Sequence, residues 1–165
     1  MSQGGNPLSG IVEADETYIG GKQRGKDVTV QDKAVVFGMV ERGGNVKAEH
    51  VRSAGARVLV PRLQAGVTPG ATVYSDHAKV YSTLHRISYY HDSVNHSLGE
   101  YGRGRVHTNT IEGFWGQLKR SIDGMYHCVG RKYLQLYLNE FVYRYNHRTV
   151  QVFPVLIASA ARRVQ

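Results

Sequence analysis

The stretch from His107 to Arg120 reads as an amphipathic helix that must pack on another layer. Asn109 is placed to cap this helix, and Glu112 follows three residues later, as in a capping box. Glu112 lies at the border of the apolar face, so its carboxylate is predicted to point at the end of whatever layer the helix covers. The apolar residues share one face at about 100° per residue, and they are Ile111, Phe114, Trp115 and Leu118.

The segments before this helix predict a mixed β-sheet. Runs of apolar or alternating residues indicate strands at 11–19, 33–41, 46–51, 71–75 and 87–90, a short helix at 56–65, and later helices at 131–147 and 155–163. This order fits an α/β fold with a five-stranded sheet flanked by helices. The strand of Asp15 is expected to be central, with the strand ending at Asp76 beside it and parallel. The helix crossing the sheet would then place Glu112 near both aspartates.

Length and composition indicate one folded domain. Apolar residues make up 41% of the 165 residues, which is enough to build a core. Residues 1–10 are small and polar, and they are interpreted as a linker or an expression remnant. Residues 11–165 are therefore predicted to form the domain.

The charge balance indicates a polyanionic partner. Lys and Arg number 21 against 13 Asp and Glu, which gives a net charge of +8. Nucleic acid is favoured over a membrane surface, because no basic amphipathic helix of the membrane-surface kind stands out. Charge alone fits a basic domain without such a partner equally well. Cys128 is the only cysteine, so an internal disulfide and a thiolate zinc site are excluded.

Three carboxylates stand where this fold would bring them together. Two Mg²⁺ ions about 3.5–4 Å apart can bind the attacking and leaving oxygens of a phosphodiester, and Mg²⁺ prefers oxygen ligands. Asp15 would bridge both ions, while Asp76 and Glu112 would each hold one. Each also has an ordinary explanation. Asp15 fits an exposed strand residue, Asp76 fits a helix cap and Glu112 fits a capping-box partner.

Four motifs carry a family resemblance: VEADETYIGGK at 12–22, VYSDHAKVY at 73–81, HTNTIEGFWGQLKR at 107–120 and YLQLYLNEFVYRYNHR at 133–148. Together they resemble the catalytic domain of small bacterial insertion-sequence transposases. That family belongs to the DDE superfamily, which is related to retroviral integrases and has a ribonuclease-H-like fold. The resemblance implies Asp15, Asp76 and Glu112 as catalytic residues that bind two Mg²⁺ or Mn²⁺ ions. Some relatives use Asn as the third ligand, so Asn109 is the alternative to Glu112.

Four basic residues are predicted to contact DNA. The resemblance implies Lys119, two helical turns beyond Glu112. Arg103 and Arg105, in the loop YGRGR, suit contacts with a phosphate backbone, although a plain flexible loop fits that pattern equally well. Lys22, in the basic loop after the first strand, completes the set.

The activity that the resemblance implies is cleavage of transposon ends and strand transfer by in-line attack on a phosphodiester. Two alternatives remain open at this point: a ribonuclease-H-like nuclease or junction resolvase, and a non-catalytic DNA-binding domain derived from a transposase. The expected partners are transposon-end and target DNA, with a homodimer or higher oligomer on DNA and no membrane. The expected location is the bacterial cytoplasm, on the nucleoid. Because full-length relatives carry an N-terminal DNA-reading region, the chain is expected to be an isolated catalytic domain or a truncated copy.

Overall fold

A five-stranded sheet with helices on both faces forms the domain in the computed structural model, which describes residues 5–20, 33–76, 79–94, 99, 102–126 and 129–149. Within these residues the strands are β1 (Ile11–Ile19), β2 (Ala34–Glu41), β3 (Val46–Val51), β4 (Thr72–Asp76) and β5 (Tyr90–Val94). The helices are α1 (Ala56–Gly66), α2 (Asn109–Ser121) and α3 (Arg131–Asn146), with short 3-10 turns at Lys79–Tyr81 and Leu84–Arg86 and a π-helical turn at Ile122–Tyr126.

The strand order across the sheet is β3-β2-β1-β4-β5. β1 pairs antiparallel with β2, and β2 pairs antiparallel with β3. β1 pairs parallel with β4, and β4 pairs parallel with β5. The mixed five-stranded sheet and the central position of the Asp15 strand, both predicted from the sequence, are confirmed.

Two apolar layers cover the sheet. α1 packs on one face, where alternate strand residues meet Leu59 and Leu63. α2 and α3 pack on the other face, where Phe114, Trp115 and Leu138 lie over β1, β2 and β3. Because successive strand residues point to opposite faces, Asp15 lies on the α2 side and Glu16 on the α1 side.

The last strand differs from its predicted position at 87–90. Ser88 has a φ of +67°, which takes the chain out of the extended conformation before β5 begins at Tyr90. Ile87 instead packs against the α1-side core. Asp92 is therefore part of an edge strand.

The packed part of the domain begins before residue 11. Leu8 is buried, its amide donates to the Gly66 carbonyl, and its carbonyl accepts from the Thr68 amide. Residues 5–10, predicted as linker, therefore include a core residue. The predicted helix at 155–163 and the basic loop that contains Lys22 lie outside the described residues.

Candidate active site

Asp15 and Asp76 lie side by side on neighbouring parallel strands. Ala14 pairs with Ser75, so each aspartate is the next residue along its strand. Burial, together with the negative charges of Asp76 and Glu16, raises the pKa of Asp15 to about 7. Asp76 Oδ1 is buried without a hydrogen-bond partner among the described residues. The pair thus places two carboxylates next to each other in a largely buried position.

Trp115 of α2 holds Asp15 in place. The indole Nε1 donates a hydrogen bond of 3.0 Å to Asp15 Oδ2. The indole ring lies directly on Gly38, the residue of β2 that pairs with Asp15. The absence of a side chain at Gly38 therefore lets α2 approach the sheet closely enough for this hydrogen bond.

Replacing Gly38 with alanine is expected to lower the free energy of unfolding by about 1–3 kcal/mol, as overpacking does. A Cβ at this position would lie 2.4 Å from Trp115 Cη2. The matched control is Gly113→Ala in α2, where a Cβ meets nothing and helix propensity should add about 0.5–1 kcal/mol. Urea unfolding of both variants measures the difference. Equal stability of Gly38→Ala and the wild type would contradict the close packing.

Glu13 caps the first turn of α2 from the sheet, a role that the sequence analysis missed. The side chain is fully buried. Its Oε2 accepts the backbone amides of Thr110 at 2.8 Å and Ile111 at 3.0 Å, and its Oε1 accepts the Thr110 hydroxyl. These amides are the donors that a local N-cap side chain ordinarily satisfies. The alternation of β1 had placed Glu13 and Asp15 on one face, which was the available signal.

Arg42 completes this cap and joins three segments. Its Nε donates to Glu13 Oε1 at 2.6 Å, while its other nitrogens donate to the carbonyls of Arg105 and His107. Arg42 comes from the turn between β2 and β3. The arginine therefore fixes the segment before α2 against β1 and neutralises the buried carboxylate.

The start of α2 differs from its predicted capping box. Thr108, not Asn109, is the N-cap, and its hydroxyl donates to Glu112 Oε1 at 2.7 Å. Asn109 is the exposed first residue of the helix, and Glu13 accepts the Thr110 and Ile111 amides that a side chain at the N-cap would otherwise bind. Asn109→Ala is therefore expected to leave the cap of the helix intact.

Glu112 lies one helical turn before Trp115, so both are neighbours on the helix surface. Its side chain is exposed. In the described part of the chain, no three His, Cys, Asp or Glu side chains converge closely enough to hold one metal ion. The structure thus brings Asp15 and Asp76 together, and it holds Glu112 toward Thr108.

Glu16 adds a third acid on the opposite face of β1. Tyr81 Oη donates to Glu16 Oε2 at 2.8 Å. Burial raises the pKa of Glu16, the hydrogen bond from Tyr81 lowers it, and the charge of Asp76 raises it.

The predicted DNA-contacting residues have different surroundings. Lys119 is exposed on α2, two turns beyond Glu112. Arg103 forms an ion pair of 2.7 Å with Asp92 of β5. Arg105 is exposed and follows Gly104, whose φ of +62° closes a tight turn bridged by Arg103 and Val106. Residues 103–106 therefore form a hydrogen-bonded turn.

The carboxylates fit a hard divalent cation. Asp76 offers a buried oxygen to which no described residue donates, and Asp15 uses Oδ2 for Trp115. Two adjacent carboxylates repel each other, and Mg²⁺ or Mn²⁺ would remove that repulsion. The donor set is therefore suitable for the metal that the sequence predicted.

The architecture defines the class of protein. A mixed sheet of order β3-β2-β1-β4-β5 with helices on both faces is a ribonuclease-H-like fold. The chain belongs to the ISXO2-like transposase domain family, whose model matches residues 7–146. The family predicted from the motifs is confirmed.

A similar solved structure supports this fold. It is a chain in the cryo-EM structure of the simian T-cell lymphotropic virus intasome in complex with PP2A regulatory subunit B56 gamma. That chain is 13% identical with a TM-score of 0.53, and the match covers 87% of this chain and 50% of that one. The present chain thus spans about half the length of that solved chain. None of the curated proteins matches the chain. No helix in the described part of the chain is both long and apolar enough to cross a bilayer.

Proposed function

We propose that this domain is the catalytic domain of a DDE transposase, which cuts transposon ends and joins them to target DNA. The observation that carries the proposal is the Asp15–Asp76 pair on adjacent parallel strands, with Asp15 hydrogen-bonded to Trp115 of α2. The family membership of the chain supplies the reaction class. Water attacks a phosphodiester at the transposon end and leaves a 5′-phosphate and a free 3′-hydroxyl. This hydroxyl then attacks a target phosphodiester in line and displaces the 3′-hydroxyl of the target strand.

The residues of the chain hold and orient the reacting groups. Asp15, fixed by Trp115, and Asp76 supply carboxylate oxygens from the sheet, and Glu112 supplies the third from α2. Two bound Mg²⁺ or Mn²⁺ ions would activate the attacking oxygen and stabilise the leaving one. Glu13 and Arg42 keep the first turn of α2 against β1, which positions Glu112 relative to the two aspartates.

Transposon-end and target DNA are the proposed partners, with a homodimer or higher oligomer assembled on DNA. The net charge of +8 supports a largely electrostatic contribution to binding. Lys119 and Arg105 are exposed and are proposed to contact the phosphate backbone. The proposed location is the bacterial cytoplasm, on the nucleoid.

A strand-transfer assay with pre-cut ends and Mg²⁺ tests the proposal. We expect joined products with the wild type and none in excess chelator. Products of hydrolysis alone would instead assign a nuclease or resolvase activity. DNA binding without any metal-dependent cleavage would assign a non-catalytic domain.

Glu112→Gln is expected to lower the strand-transfer rate by orders of magnitude with little change in stability. The amide oxygen can still accept from Thr108, but it brings no full charge to a hard cation. Asn109→Ala is the matched variant at the same helix end, and its rate should stay near that of the wild type. If Asn109→Ala is inactive while Glu112→Gln is active, the third ligand is Asn109.

A further inference from the structure

A groove of about 530 Å³ opens between the C-terminal halves of α2 and α3. Its lining includes Gln117 and Arg120 of α2 and Arg144 of α3, with Arg148 just beyond α3 and Phe141 and Tyr145 as its aromatic floor. Within the described part of the chain, no carboxylate lines it. Three arginines on one groove make it a strongly positive surface, and none of them is among the residues that the sequence analysis assigned to DNA.

Two of these arginines can reach a ligand from the groove walls. Arg120 is exposed and makes no hydrogen bond or ion pair with the described residues. Arg144 pairs with Glu140 at 2.8 Å, but both side chains are about half exposed, at 56% and 43%. Exposed pairs of this kind are weak, so an incoming anion can compete for the guanidinium.

The third arginine is fixed in place, and no carboxylate among the described residues pairs with it. The guanidinium of Arg148 donates to the carbonyls of Tyr145 and Gly44 and lies 4.2 Å over the Tyr145 ring. Tyr145 and Phe141 in turn pack edge-on against Phe114 of the core. The floor and its cation are therefore held in position before any ligand arrives, which lowers the entropy cost of binding.

We infer that this groove binds the phosphate backbone of a DNA duplex, an inference that rests on the proposed function for the identity of the polyanion. Guanidinium groups suit phosphate oxygens because they can donate two parallel hydrogen bonds. Arg120 lies eight residues beyond Glu112 on the same helix, about 12 Å along its axis. Arg120 is also rotated by about 80° around the helix from Glu112. A duplex with one phosphodiester at the carboxylates would therefore reach the groove by crossing the exposed face of α2.

The test compares two double variants of equal charge. The groove variant is Arg120→Gln with Arg144→Gln. The control is Arg57→Gln with Arg62→Gln on α1, across the sheet, where Arg57 is exposed and Arg62 pairs with Glu49 at 3.0 Å. Each double variant loses one exposed arginine and one ion-paired arginine. Melting curves are used to confirm that both variants are folded.

Fluorescence anisotropy with a labelled duplex in chelator gives affinity between about 50 and 200 mM salt. Loss of two phosphate contacts should reduce the slope of log K against log salt by about 1.8. We expect the groove variant to show this reduction and to bind at least about tenfold more weakly at the low-salt end. The control should keep the wild-type slope. Equal slopes of log K against log salt for the groove variant and the control would overturn the inference.

Cross-linking locates the DNA directly. Gln117→Cys in the groove and Gln64→Cys on α1, both in a Cys128→Ser background, are treated with duplexes that carry thiol tethers on backbone phosphates. Disulfides should form at the groove position and not on α1. Loss of self-association in the groove variant with an unchanged salt slope would assign the groove to a protein partner and overturn the inference.

The strand-transfer assay run in parallel separates the two proposals. If the wild type joins DNA but the two double variants have equal salt slopes, only the groove proposal is rejected. DNA binding that depends on the groove arginines, without metal-dependent cleavage or joining, rejects the catalytic proposal and retains the groove proposal. A wild type that neither binds nor joins DNA rejects both.

Discussion

Replacing Glu13 with alanine is expected to lower the free energy of unfolding by about 3–5 kcal/mol, the cost of breaking a buried ion pair. The carboxylate is fully buried and accepts two backbone amides, a hydroxyl and the Arg42 guanidinium. Its removal leaves the amides of Thr110 and Ile111 without acceptors and Arg42 without its counter-charge. Chemical denaturation followed by far-UV circular dichroism measures the loss.

Three further variants show where the effect arises. Glu49→Ala removes a carboxylate from an exposed pair with Arg62 and should cost at most about 1 kcal/mol. Arg42→Ala should approach the loss in Glu13→Ala, because it leaves the buried charge uncompensated. The double variant should lose much less than the sum of the two single losses. Additive losses would show that Glu13 and Arg42 act independently and would contradict the shared cap.

Replacing Asp15 with asparagine is expected to stabilise the metal-free protein while lowering strand transfer by orders of magnitude. Burial and the charge of Asp76 disfavour the Asp15 carboxylate and raise its pKa from 3.8 to about 7. Asparagine removes this charge and keeps an oxygen that can accept from Trp115 Nε1. At pH 8 in chelator the gain should lie between about 1 and 4 kcal/mol, since one pKa unit corresponds to 1.36 kcal/mol.

The same pKa predicts how the gain depends on pH. The folded state binds the Asp15 proton more tightly than the unfolded state does. The stability that this proton gives the folded state is therefore complete below about pH 3.8 and is lost as the pH rises through about 7. The advantage of Asp15→Asn should therefore be small at acidic pH and full above pH 7. Melting curves across this range provide the measurement.

Divalent metal should make the wild type more stable than Asp15→Asn, the reverse of the order without metal. Mg²⁺ or Mn²⁺ should raise the melting temperature of the wild type by binding the folded state and should raise that of Asp15→Asn much less. Asp123→Asn, at an exposed aspartate beyond α2, is the control and should respond to metal as the wild type does. If chelator and Mg²⁺ give the wild type the same melting curve, Asp15 and Asp76 do not hold the metal.

The sequence by itself determined the strands and helices that carry the candidate site. The alternation of β1 and the apolar stripe of α2 depend on neighbouring residues only, so β1 was predicted at its observed bounds and the stripe from Ile111 to Leu118 faces the core. The central position of the Asp15 strand beside the Asp76 strand followed from the order of the elements. The motifs also identified the family, because they preserve residue types at fixed spacings.

Only the tertiary structure decided how these elements are held together. Glu13 reaches the start of α2 across 97 residues of sequence, and Trp115 reaches Asp15 across 100. A local capping box at Asn109 was plausible from spacing, but Thr108 is the N-cap, and a buried carboxylate from the sheet accepts the amides of Thr110 and Ile111. The requirement for glycine at position 38 is evident only from the Trp115 ring that packs against it. Local periodicity reports which face of an element is apolar, whereas the partner of a buried polar group depends on which elements meet in three dimensions.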